Sequence, residues 1–183
     1  MSVEYRKVLE FWFEDLKPED WFSSNEELDR TIKDKFGEVH KMAAACELDG
    51  WRTGPMGRLA EIIVLDQFSR NIYRNDPLAY AWDPLALALS QEAIRLKAHE
   101  ELSSLKRSFL YMPYMHSESP RIHREAMELF SEPGLDYQRE FEIKHKEVID
   151  RFGRYPHRNL ALGRESTAEE LQFIKDHPNP YSP

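Results

Sequence analysis

The stretch Gly54-Pro55-Met56-Gly57-Arg58-Leu59-Ala60-Glu61-Ile62-Ile63-Val64-Leu65-Asp66-Gln67-Phe68 decides the fold class. Gly54-Pro55 is a helix start, with proline at a first-turn position whose missing N–H costs nothing. The residues that follow, Leu59, Ile62, Ile63, Val64, Leu65 and Phe68, leave almost no polar face. An element apolar on nearly every side belongs at the centre of a helical protein, covered by its neighbours. Asp66 interrupts that run and needs a partner.

Working outward, helix signals recur to both ends of the chain. Val8, Leu9, Phe11, Trp12 and Phe13 predict a heavily covered first helix over 3–15, closed by Lys17-Pro18. Ser24-Asn25-Glu26-Glu27 has capping-box spacing and opens a long amphipathic helix through Leu28, Ile32, Phe36, Val39 and Met42. Asp83-Pro84 supplies an N-cap and N1 proline for a helix closing near Ala98, and the next runs from Ser103 until Pro113 halts it. Ser119-Pro120 starts another. A further helix spans 136–152, with Gly153 as its left-handed terminator. Ser166-Thr167-Ala168-Glu169 repeats the capping box before a short last helix, and the Pro-rich tail 176–183 is irregular. Short Pro-, Gly- and Asp-containing turns join these elements, and no linker marks a boundary. The expectation is one all-α domain over 1–183, with about eight helices packed as antiparallel pairs in a TPR-like superhelical arrangement.

Composition agrees. The 183 residues include 19 Leu and 22 Glu against 17 Val, Ile and Thr together, which favours helix over sheet. A net charge of -8 leaves no broad basic face for nucleic acid. No apolar run is long enough to span a bilayer, so neither nucleic acid nor membrane is expected as a partner, and the cytoplasm is the expected location. Cys46, among Met42 and three alanines, reads as an inert helical packing position. Phosphate-cradling glycine loops and the G-x-S-x-G elbow are absent. His116, His123, His145 and His157 would suffice in number for a metal, but their spacing matches no compact motif, so no metal or cofactor is expected.

Three polar stretches break the apolar pattern. Asp66, Gln67, Arg70 and Asn71 end the central helix, and Asp66 and Arg70, four apart, are set to pair. His116 and Glu118 lie in a short turn between Pro113 and Pro120, where they could form a general acid–base pair, with Ser117 as a nucleophile if a base reaches it. His145 points inward with Phe141 and Ile149. Beyond it, Arg151, Arg154, His157, Arg158, Asn159 and Arg164 form a segment without any Asp or Glu. Such arginine forks meet either acids from elsewhere in the fold or an anionic ligand.

The strings Val8-Leu9-Glu10-Phe11-Trp12-Phe13, Asp66-Gln67-Phe68-Ser69-Arg70-Asn71, Phe109 to Glu118 and Phe152-Gly153-Arg154-Tyr155-Pro156-His157-Arg158-Asn159 occur in that order. With Leu162-Gly163-Arg164 and Ser166-Thr167-x-Glu169-Glu170, they make the chain resemble the bacterial family catalogued as domain of unknown function 924. The resemblance implies a TPR-like all-α fold and no particular activity. Ser69 stands where that family usually shows proline, and Asn75 where it commonly shows glycine; both are read as turn positions.

Three functional readings follow. The first is a groove lined by Asp66, Gln67, Arg70, Asn71, Arg154, His157, Arg158 and Asn159 that binds a small anionic molecule or an acidic peptide. The second is a small-molecule hydrolase with His116 or His145 as base, Glu118 or Asp66 orienting it, and an arginine clamp on the substrate. The third is a polar network whose role is structural. Oligomeric state is not encoded in any of these features.

Overall fold

The computed structural model describes residues 4–178 and is all-helical, with no strand among the described residues. Helix α1 (Tyr5–Glu10) runs directly into a π-helical turn, Phe11–Asp15. The long α2 (Glu26–Ala44) follows, then α3 (Pro55–Ile63), a second π-helical turn over Val64–Phe68, and the short α4 (Ser69–Ile72). The rest comprises α5 (Asp83–Arg95), α6 (Ser104–Met115), α7 (Pro120–Leu129), α8 (Asp136–Phe152) and α9 (Ala168–Asp176).

The apolar run of α3 is central, as its sequence demands. Leu59, Ile62, Ile63, Val64, Leu65 and Phe68 are fully buried, and α3 packs on α1, α5 and α6. The core continues through Val8 and Trp12, through Ile32 and Phe36 of α2, and through Phe109 and Leu110 of α6. Helices α5, α6, α7 and α8 each pack on the next across short connections. A smaller cluster of Val148, Ile149 and Tyr155, flanked by Phe152 and Phe173, anchors α9.

Several boundaries differ from the sequence expectation for local reasons. Asn25, not Ser24, caps α2 by accepting from the Glu27 and Leu28 amides. At α9 the box is shifted by one residue and is formed by Thr167 and Glu170. Pro113 does not stop α6, which runs on to Met115; a proline in the last turn removes only one internal bond. Asp83 is the first residue of α5 rather than its cap, and its carboxylate is spent elsewhere. Cys46 is exposed, just beyond α2 with φ +60°, rather than packed in a helix. The irregular tail begins at His177, since Asp176 still closes α9, and its last five positions lie outside the described residues.

The two departures from the family pattern have physical readings. Asn75 adopts φ +65°, a left-handed conformation that glycine takes freely and asparagine tolerates. Ser69 is helical rather than a turn residue; its hydroxyl donates to the Leu65 carbonyl at 2.6 Å and accepts from His40 Nε2 at 2.8 Å.

Candidate functional site

Asp66 and Gln67 lie in the π-helical turn that ends the central helix, a local widening often met at functional positions. Asp66 is buried with both oxygens engaged. Oδ2 accepts from Gln67 Nε2 at 2.6 Å, and Oδ1 accepts from His116 Nδ1 at 2.7 Å, with Arg70 Nη1 3.2 Å away. Burial alone would raise this carboxyl, but His116 and Arg70 outweigh it and hold it at about 2. It is therefore a carboxylate at neutral pH.

His116 takes the complementary role. Burial, reinforced by the Arg70 charge, lowers it against the opposing pull of Asp66, so the ring is neutral at pH 7. An ionised acceptor on Nδ1 selects the Nδ1–H tautomer, which puts the lone pair on Nε2. Nε2 has no hydrogen-bond partner among the described residues, yet it is not a buried orphan, since the His116 side chain retains 16% of its exposure. The pair is a carboxylate-oriented imidazole with its basic nitrogen open.

Around it the charges balance. Arg70 forks onto Asp83 at 2.9 and 3.0 Å and also donates to the Asp66 carbonyl. Arg158 reaches the same Asp83 at 3.1 Å, donates to the His116 carbonyl at 3.0 Å, and lies between the rings of Tyr80 and Tyr155 at 4.6 and 4.7 Å. Two arginines face two aspartates. Burial works against the Arg70 charge, and Asp83 with Asp66 more than offsets it.

His145 sits beside this group, its ring centroid 6.5 Å from that of His116 and 5.7 Å from that of Tyr155. Its Nδ1–H donates to the Phe141 carbonyl at 2.8 Å, and burial drives it down to about 3, so it too is neutral. Beneath the His116 turn, His123 Nε2 lies 2.8 Å from the Ser117 carbonyl and 3.1 Å from the Tyr155 hydroxyl, which itself donates to the Met115 carbonyl. His123 Nδ1 meets Glu142 at 2.7 Å, with both side chains fully buried. Burial raises Glu142 despite His123, and its Oε2 has no hydrogen-bond partner among the described residues. This underlayer holds the backbone that carries His116.

Other expected site residues are drawn off. Glu118 does not pair with His116: both its oxygens are taken by the Arg164 fork at 2.6 and 2.8 Å, and Oε1 also by the Tyr155 amide. Burial would raise the Glu118 carboxyl, but Arg164 and the Tyr155 amide bring it below the usual range. Ser117 makes no hydrogen bond to His116, so the nucleophile arrangement is not formed. Asn71 donates to Asp29, which also holds the Arg74 fork, tying α4 to α2. Arg154 forks onto Glu170 and donates to the Glu165 carbonyl; His157 contacts the His177 carbonyl; Asn159 bridges Ser166 and Arg164. Each arginine of the 151–164 segment thus has an internal carboxylate: Glu169, Glu170, Asp83 and Glu118 for Arg151, Arg154, Arg158 and Arg164. The sequence reading passed over Tyr80 and Glu142 and gave Asp83 only a capping role. No local signal marks them, since their partners Arg70, His123 and Arg158 lie 10 to 78 positions away.

No group of three or more His, Cys, Asp or Glu among the described residues is placed to hold a metal ion. Nor is any helix among them long and apolar enough to cross a membrane.

Fold and site together define an all-helical protein in which a buried carboxylate orients a half-buried histidine. The chain belongs to the family described as bacterial protein of unknown function (DUF924), whose model matches residues 8–177. The solved structure of ATU0120, a protein of unknown function from Agrobacterium tumefaciens, is similar at 36% identity and a TM-score of 0.89, over 94% of this chain and 97% of that one. No curated protein matches the chain.

Proposed function

We propose that Asp66 and His116 form the acid–base centre of a small-molecule enzyme of hydrolase type. The observation that carries this reading is the 2.7 Å bond from His116 Nδ1 to an ionised, buried Asp66, which leaves Nε2 unpartnered and accessible. In this role Nε2 takes a proton from water or from a substrate hydroxyl, and Asp66 stabilises the imidazolium that results. Of the two carboxylates offered for orienting the base, Asp66 is favoured over Glu118, and water over Ser117 as nucleophile. The balanced charges of Arg70, Arg158, Asp66 and Asp83 favour this reading over an anion-binding groove, because an incoming anion would have to displace an internal carboxylate. Short connections between successive helices that pack on one another, from α5 to α8, support an antiparallel, TPR-like arrangement. An exposed free thiol at Cys46 suits a reducing compartment, so we place the protein in the cytoplasm.

The test has two parts. Brief treatment with diethyl pyrocarbonate at pH 7, read by peptide mass spectrometry, is expected to acylate His116 well ahead of His145 and His123. In parallel, a panel of activated esters and amides is assayed with His116→Gln and Asp66→Asn. At least one substrate is expected to lose about a hundredfold or more in rate in both variants. If His116 is unreactive, or no substrate distinguishes the variants from wild type, the acid–base reading is overturned.

A further inference from the structure

On the other side of α6, away from His116, a cleft of about 330 Å³ opens between α5, α6 and α7, lined by Ile94, Tyr114, Glu125, Glu128, Leu129 and Glu132. Tyr114 and His116 are two residues apart, hence about 200° around the helix, so the two features are independent. Three carboxylates face this cleft at spacings of three and four, with unequal compensation. Glu132 is held by Arg107 at 3.2 Å and by the Tyr111 hydroxyl at 3.1 Å. Among the described residues, Glu125 has only an exposed ion pair with Arg121, and Glu128 has no ion pair or hydrogen bond. Acidic side chains alone would be an ordinary solvated face.

Tyr114 makes the difference. It is only 4% exposed, yet it lines the cleft and its hydroxyl has no hydrogen-bond partner among the described residues. A hydroxyl left open at the cleft on an otherwise buried ring has a lone pair and a proton to offer an occupant. Burial and the Glu125 charge push this phenol up to about 12, so it stays protonated. Ile94 and Leu129 supply a half-buried apolar wall. The carboxylates are not grouped closely enough to hold a metal ion, and they instead offer separate acceptors to a cation that carries several N–H donors.

We infer that this cleft binds an aliphatic ammonium, its methylene stem against Ile94 and Leu129 and its ammonium between Glu125, Glu128 and the Tyr114 hydroxyl. Ammonium on an aliphatic stem is the chemistry of free diamines and of the lysine side chain alike. The cleft size is at the lower end for small-molecule sites, which fits an occupant of about that length.

The experiment is isothermal titration of the full chain with 1,5-diaminopentane and, separately, with N-acetyl-lysine methylamide, using magnesium chloride at matched ionic strength as the control. Binding tighter than about 1 mM is expected for at least one amine. Glu128→Gln and Tyr114→Phe should each weaken it by about tenfold. Neither substitution removes an internal partner, so both variants should melt like wild type without amine. Preference for the diamine assigns a free metabolite, and preference for the lysine analogue assigns a protein side chain. The inference is overturned if neither amine binds, if magnesium binds equally well, or if both variants bind like wild type. None of these outcomes bears on the acid–base reading, which concerns the opposite face of α6.

Discussion

Arg158 donates to Asp83 at 3.1 Å across 75 positions of sequence, and through that bond the 3₁₀ turn Pro156–Arg158 is tied to the first residue of α5. Asp83 holds Arg70 at the same time, so one carboxylate joins three parts of the chain.

Asp83→Asn is therefore expected to be costly. It leaves two largely buried guanidinium groups facing each other, and breaking a buried pair costs about 3 kcal/mol. At this chain length that lowers the melting temperature by about 6–12 °C. A loss below about 2 °C by calorimetry would show that Arg70 and Arg158 re-pair.

The half-buried Glu118 should matter more than an exposed acid with an equally good partner. Glu118→Ala removes the Arg164 fork and the Tyr155 amide bond, and we expect a loss of about 2 kcal/mol in urea unfolding. Asp150→Ala removes the exposed pair with Lys146 and should cost less than about 1 kcal/mol. Equal losses would mean that burial does not govern these pairs.

Stability should fall in two stages on acidification. Burial lowers His40 to about 4 and His145 to about 3, against an unfolded value of 6.5. Between those values only the unfolded chain takes up protons at these sites. Stability is thus full above pH 6.5 and declines below it, by up to about 1.4 kcal/mol per pH unit for each ring. Asp66 and Glu170, both held at about 2, add a second decline as pH drops below their unfolded range, 3.8 and 4.5 respectively. Urea midpoints at pH 8, 7, 6, 5 and 4 check this, and a flat profile from 7 to 5 would contradict the assignment of neutral buried histidines.

Two glycines should respond with opposite signs. A Cβ on Gly57 would sit 2.0 Å from the Trp51 carbonyl oxygen, a backbone atom that cannot swing aside, so Gly57→Ala should destabilise by about 2–3 kcal/mol. Gly37, inside α2, has open space around its Cβ position, and Gly37→Ala should stabilise by about 1 kcal/mol. Thermal melts of both variants test the pair.

The elements that could be read along the chain are those written in local chemistry. The apolar run ending at Phe68 is buried where it was expected, and α8 spans Asp136–Phe152 with Gly153 at φ +68° behind it. Local reading slipped by one residue where several cap formers adjoin, as at Ser24-Asn25 and Ser166-Thr167, because the choice between neighbours depends on chain direction at the helix entry. It overstated Pro113, which the last turn of α6 accommodates.

The polar network follows a different rule. Asp66, Gln67, Arg70, His116 and Arg158 do assemble, and their placement at breaks in the apolar pattern was the signal. His116 and Glu118, only two positions apart, nevertheless take different partners, Asp66 and Arg164. The sequence alone determined that this chain would be helical, where its central helix would lie, and that buried charges there required partners, because periodicity and the cost of an unpaired charge act within a few residues. Which carboxylate met which cation, and hence that His116 was left with an oriented ring and an open nitrogen while the arginines were neutralised, only the tertiary structure decided. Coulomb and hydrogen-bond energies depend on distances of about 3 Å, and those are set by which helices pack together.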